Sequence, residues 1–298
     1  MSVDVNLLKE KLENLIVRYQ NIAYLETDPI CFPKAYKNPK DIELVSLLSC
    51  LFAYGNVKNI QNFLRPILQK MGPSPYQFLK EETQTFRPFL EGLSGYRFQT
   101  REDLYAFFLT LQRILQKHRN ETPLFESYFL GGSGRFQKNE SIQNFQKFLE
   151  TEISVTLGNK PLSYGLQFLI GKWSSKSPKK RISLFLRWMV RESYPDFGLY
   201  KKIKANEIPY PMDVHIQKLS KVLGIQKQRN IQLNDAYSLT EFFKKINPED
   251  PLLYDFYLTR VGIINKCKGS YVSDICKDCE LRGVCLVVPR GIEPRLQG

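Results

Sequence analysis

With 298 residues, 43% of them hydrophobic, the chain can bury the core of one large domain or two ordinary ones and needs no disulfides to stand. No apolar run approaches the roughly eighteen residues of a membrane span, and charges recur through the opening MSVDVNLLKEKLENLIVRYQ, so the expectation is a cytoplasmic protein without a signal peptide. Forty-three Lys and Arg against thirty Asp and Glu leave a net charge of +13, which predicts a polyanionic partner, most simply nucleic acid.

The pattern along the chain is helical. Leu7, Leu8, Leu12, Leu15 and Ile16 form one stripe over residues 6–19, the mark of an amphipathic helix. A proline-bearing stretch then leads to Asp41, expected to cap the very apolar helix ELVSLLSCLFAYG. NVKNIQNFLRPILQKMG and REDLYAFFLTLQRILQKH read as further helices, and ETPLFESYFLGGSGRFQKN as an ordered loop. SIQNFQKFLETEISVTL is again helical. Ser177 is placed to cap the next helix and Pro178 suits its first position, ahead of KKRISLFLRWMVR, whose apolar residues surround most of the axis. Asp213 is placed to cap MDVHIQKLSKVLG, and LTEFFKKI and PLLYDFYLTRVGII are the last helices before the cysteines. No stretch alternates with period two, so the expected fold class is all-α.

Between Lys172 and Lys204 lie ten basic residues and two acids, so eight of the thirteen net charges sit in thirty-three residues. At the other end of the chain, four of the six cysteines fall within nineteen residues, as Cys267-x8-Cys276-x2-Cys279-x5-Cys285. In a reducing compartment such a cluster reads as a metal site rather than a disulfide framework. Four thiolates suit zinc or an iron-sulfur cluster. A single CxxC with two wider-spaced partners favours a [4Fe-4S] cluster, whose four iron corners tolerate longer loops, with zinc as the alternative.

The final Cys-x2-Cys-x5-Cys, after an earlier cysteine and a buried helix, resembles the iron-sulfur loop of the endonuclease III class of helix-hairpin-helix DNA glycosylases. That family's first gap is six residues where this chain has eight. MDVHI at 212–216 is similar to the family's catalytic-aspartate segment. DIELVSLLSCLFAYGNVKNI resembles its second helix and following turn, and LSGYRFQTREDLYAF its turn into the next barrel helix. The longer linker from Lys180 to Asp213 looks more like the archaeal 8-oxoguanine glycosylases. Across most of its length, especially KRISLFLRWMVR and NPEDPLLYDF, the chain is still more similar to an uncharacterised bacterial family, domain-of-unknown-function family 2400, which names no activity.

The glycosylase resemblance implies a two-lobed fold. Residues 42–194 would build a helical barrel lobe; residues 1–41 and 195–286 would build a second lobe with the metal loop 267–285, and 287–298 would be a tail. It implies base-excision repair of double-stranded DNA by a monomer, with Asp213 stabilising cationic character at the sugar. The amine forming a Schiff base in the lyase step would be Lys180, which a helix N-terminus and the neighbouring Lys179 and Arg181 would help keep neutral. The family's hairpin reads Leu-Pro-Gly-x-Gly where this chain has WSSKSPKK. Phosphate contacts would therefore come from Ser177, Lys179 and Arg181, joined by Lys268, Lys277 and Arg282 of the cysteine loop. The other reading is a catalytically silent nucleic-acid-binding protein of the same fold. Tyr54, Tyr96 and Trp173 are candidates for supporting an extruded base or, more simply, for core packing. His215 reads as a helix-packing residue.

Overall fold

The computed structural model describes residues 3–81, 88, 90, 92, 93, 95–118 and 121–288. The fold is all-helical: among the described residues the only β feature is an isolated bridge between Tyr96 and Gln99. The chain divides into two compact units. The first gathers residues 1–24, 176–187 and 204–298, and the second residues 25–175 and 188–203. The division thus falls at 24/25 rather than 41/42, and residues 176–187 group with the N- and C-terminal segments. The expected tail lies, from residue 289 on, outside the described residues.

In the first unit, α1 (Val5–Tyr19) is capped by Asp4, whose carboxylate accepts from the amides of Asn6 and Leu7. Its stripe of Leu8, Leu12, Leu15 and Tyr19 is buried, and the helix packs on α12 (Asp255–Ile263). α10 (Val214–Val222) packs on α12 as well. A Cβ at Gly262 would lie 2.2 Å from the His215 ring, so glycine is what lets these two helices approach. His215 is accordingly a packing residue. α11 (Leu233–Lys244) and the short α13 (Ser273–Cys276) complete the unit.

The second unit holds α2 (Pro39–Leu51), α3 (Val57–Met71), α4 (Pro75–Glu81), α5 (Arg101–Lys117), α6 (Glu126–Leu130), α7 (Lys138–Thr156) and α8 (Tyr164–Ile170). Asn38, not Asp41, caps α2, with Pro39 in its first turn. Asp41 instead turns inward, taking the Tyr76 amide at 2.7 Å and the Ser74 hydroxyl at 3.2 Å. α6 lies inside the glycine-bearing stretch expected to be loop, and its C-terminus is Gly131 at φ 57°. One helix, α9 (Lys180–Val190), runs through both units' residues.

Glu43 is 1% exposed on α2. Its carboxylate accepts from the amides of Leu124 (2.6 Å) and Phe125 (2.8 Å) and from the Tyr200 hydroxyl (2.8 Å). Burial nonetheless pushes its pKa up from about 4.5 to about 7, against those three donors and with a further push from Glu126. The folded state therefore holds a proton that the unfolded chain releases near pH 4.5. The stabilisation is full below that pH and is lost as pH rises through about 7, a change of about 3 kcal/mol. Denaturant titrations at pH 5 and pH 7.5, which span most of that change, should show wild type losing about 2 kcal/mol relative to Glu43→Gln. Parallel losses in both proteins would contradict the assignment.

Candidate functional site

All four clustered cysteines line one cavity in the first unit, shared with Leu219, Val222 and Val261. None is in a disulfide. Backbone amides point at the sulfurs: Val272 N–H reaches Cys276 Sγ at 3.5 Å, Leu281 donates to Cys279 and Val287 to Cys285. Amide donors of this kind support thiolates in metal sites. Without a metal, burial pushes the Cys279 and Cys285 thiols up, and the nearby cysteines push them further. Among the described residues no three His, Cys, Asp or Glu stand close enough to share a single ion. The donor set, four soft sulfurs with directed amides in a largely apolar shell, fits a thiolate-ligated inorganic centre.

The loop is tied to the helices around it. The Leu286 amide donates to Val222 O at 2.7 Å, Lys218 Nζ to Cys267 O at 3.1 Å, and the Cys267 amide to Val261 O at 3.3 Å. Glu280 pairs with Arg18 of α1 and accepts from Asn265, which in turn accepts from the Tyr19 hydroxyl at 2.9 Å. α10 is thus held at its C-terminal end by the loop, and at its other end, about 13 Å away, it carries Asp213. That carboxylate caps α10, accepting from the Ile216 amide at 2.7 Å.

Helix α9 begins at Lys180, two residues later than the Ser-Pro pair suggested. Lys179 occupies the cap position: its carbonyl accepts from the Ser183 amide (3.0 Å) and hydroxyl (3.1 Å). It does so at φ 52°, a left-handed conformation that costs a lysine free energy. The residue is 6% exposed, and burial lowers its amine to a pKa of about 8. Lys180 is half-buried, and Ser177, expected to cap, is exposed. The preceding strand of chain is fixed by the Leu233 amide on Lys176 O at 3.0 Å.

A family model described as "Protein of unknown function (DUF2400)" matches residues 28–264. The chain belongs to that family. No curated protein and no solved structure matches the chain. In this DUF2400 member the matched span takes in Lys179, Lys180 and Asp213 and ends ahead of Cys267.

The basic segment of the DUF2400 chain is less exposed than its charge suggests. Arg187 is buried against Asp255, and Arg191 against Asp196. Sequence counted both toward a basic surface; the structure spends them inside the core. Lys172, Lys176, Lys201, Lys202 and Lys204 are exposed, as are Lys268 and Lys277 of the cysteine loop. Arg181 is half-buried, and Arg282, also half-buried, donates to Lys277 O at 3.2 Å. Trp173 stacks under Lys147 Nζ at 4.6 Å, and Tyr96 is buried, its hydroxyl donating to Tyr54 O at 3.0 Å. No helix is long and apolar enough to cross a membrane among the described residues.

Proposed function

We propose that this protein is a base-excision DNA glycosylase with an associated lyase step, on a two-lobed helix-hairpin-helix glycosylase-like fold. Cys267, Cys276, Cys279 and Cys285 would hold a [4Fe-4S] cluster, which fastens the C-terminal loop. The observation that carries the reading is a desolvated lysine at the head of a helix, in the same compact unit as Asp213 and the cysteine loop. A unit assembled from both ends of the chain also accords with the resemblance.

Attack on the C1′ aldehyde of an abasic sugar requires a neutral amine. The new C–N bond forms as the carbonyl oxygen leaves as water; loss of a C2′ proton then expels the 3′ phosphate. With a pKa of about 8, about a tenth of Lys179 amines are neutral at pH 7, against roughly one in a few thousand for an ordinary lysine. We therefore assign the nucleophile to Lys179. Lys180, which the resemblance prefers, then joins Ser177, Arg181, Lys268, Lys277 and Arg282 on DNA phosphates. Asp213 supplies the negative charge that a cationic sugar needs.

The test is strand cleavage of a duplex with a single abasic site. Lys179→Ala should abolish nicking, while Lys180→Ala should weaken binding and lower the salt slope by about one phosphate contact. Asp213→Asn should slow removal of a damaged base by about 10²–10³-fold. Salt-sensitive duplex binding with no nicking would favour the silent DNA-binding protein, a reading suited to the absence of hairpin glycines in WSSKSPKK.

A further inference from the structure

A second surface with its own chemistry lies in the second unit. Tyr96 and Gln99 exchange backbone hydrogen bonds of 3.0 and 2.9 Å, closing a two-residue turn with Arg97 and Phe98 at its tip. The turn is held from behind: the Tyr54 hydroxyl donates to the Gln99 side chain, and Gln99 Nε2 donates to Gly165 O at 2.7 Å. A Cβ at Gly165 would meet Phe98 O at 2.5 Å, so α8 lies directly against the turn. The tip is rigid.

What it displays is aromatic. Phe98 is 41% exposed and Tyr164, on α8, 70% exposed. Phe168 backs both, its ring 4.4 Å from Phe98 and 6.2 Å from Tyr164, and it meets Tyr54 edge-on at 5.0 Å. The exposed Arg97 guanidinium stands 5.9 Å from the Tyr54 ring and 5.7 Å from the Phe98 ring. Two neighbouring solvent-facing rings offer a flat face to a ligand, and a guanidinium beside them disfavours a cationic one. Residues 54–58, 95–101 and 163–168 contain Lys58, Arg97 and Arg101 and no acid; Glu102 follows directly, and Asp103, buried, accepts from the Ser163 hydroxyl at 2.6 Å. Flat π-faces beside a guanidinium complement one chemical object well: a flat base on an anionic backbone.

We propose that Phe98, Tyr164 and Arg97 form a platform on which an unpaired nucleobase stacks, in a single strand or a locally opened duplex. The platform does not depend on the lyase chemistry; a protein that binds nucleic acid without cutting it would use it equally. It also lies apart in sequence from Lys179 and Asp213, so the two proposals fail separately.

The experiment compares full-length protein binding to two fluorescein-labelled single strands of equal length, one of mixed sequence and one of stable, reduced abasic residues. Both carry the same phosphates, so charge alone cannot separate them. Wild type should bind the base-bearing strand about tenfold or more tightly, the size of one lost stacking contact. Phe98→Leu/Tyr164→Leu keeps apolar bulk but removes the π-faces; it should erase most of that preference with little change in salt slope. Arg97→Gln should weaken binding to both strands. Tyr164→Leu alone, at the most exposed ring, serves should the double variant fold poorly. Equal wild-type affinity for the two strands, no binding to either, or a preference that survives in the leucine variants would overturn the platform, the last pointing instead to an apolar protein partner.

Discussion

Replacing Cys276 and Cys279 together with serine is expected to remove the inorganic centre proposed for this protein and to unfold the C-terminal part of the first unit. The chain there has few other ties: α13 is four residues long, the loop's own backbone bonds are short-range turns, and Glu280 reaches Arg18 and Asn265. Its ties to α10 and α12 are single hydrogen bonds at Leu286, Lys218 and Cys267. Metal–thiolate ligation contributes folding free energy directly, on the order of 10 kcal/mol in small zinc modules. Metal and acid-labile sulfide analysis of anaerobically purified wild type should find the centre. The double serine variant should lose it and become protease-sensitive within residues 265–288. Because α10 is fastened at that end, the base removal proposed for Asp213 should fall with it. Wild type lacking metal, or a serine variant as stable as wild type, would contradict the assignment.

Arg187→Met is expected to lower stability by about 3–5 kcal/mol, because it leaves the Asp255 carboxylate buried without its guanidinium. Both side chains are no more than 3% exposed, so water cannot replace the lost partner. For a chain of this size that is about a 10 °C fall in Tm. The double variant Arg187→Met/Asp255→Leu removes the stranded charge as well and should recover much of the loss. A single-variant loss under about 1 kcal/mol would mean that the pair is solvated and contributes as little as a surface bridge.

What sequence made legible follows from periodicity and spacing. α1, α3, α5, α7 and α10 repeat apolar residues at helical intervals, and each forms where that pattern runs. The buried surround of α9 was readable too, since Ile182 through Val190 are all buried. α8 escaped notice because seven residues, Tyr164–Ile170, are too few to show a period, and α6 because glycines follow it at once. Asp41 looked like a cap because a carboxylate before an apolar run commonly is one; Asn38, three residues earlier and followed by Pro39, outcompeted it.

The candidate site divided along similar lines. Four cysteines within one short segment announce themselves, and Asp213 sits at a helix start marked by its own sequence. Burial of single charges does not. Lys179, Arg187 and Arg191 looked like part of one basic run, yet the first is desolvated and the other two pair with acids at 255 and 196. Glu43 gives no local sign that amides at 124 and 125 will meet it. Partners distant in sequence decide which charges reach solvent, and one sequence alone does not list them. The exposed rings of Phe98 and Tyr164 were missed for the same reason: aromatic residues default to core until a structure shows them facing out.

The most direct test of the proposed activity is borohydride trapping on a duplex with one abasic site, followed by peptide mapping. Reduction of a Schiff base converts the transient intermediate into a stable amine, so the adduct names its lysine. We expect a covalent protein–DNA complex whose modified peptide carries the adduct on Lys179 and whose yield rises between pH 6 and 8 as that amine loses its proton. An adduct on Lys180 would move the nucleophile by one residue and leave the lyase intact. No adduct from protein that binds the same duplex would contradict the lyase outright.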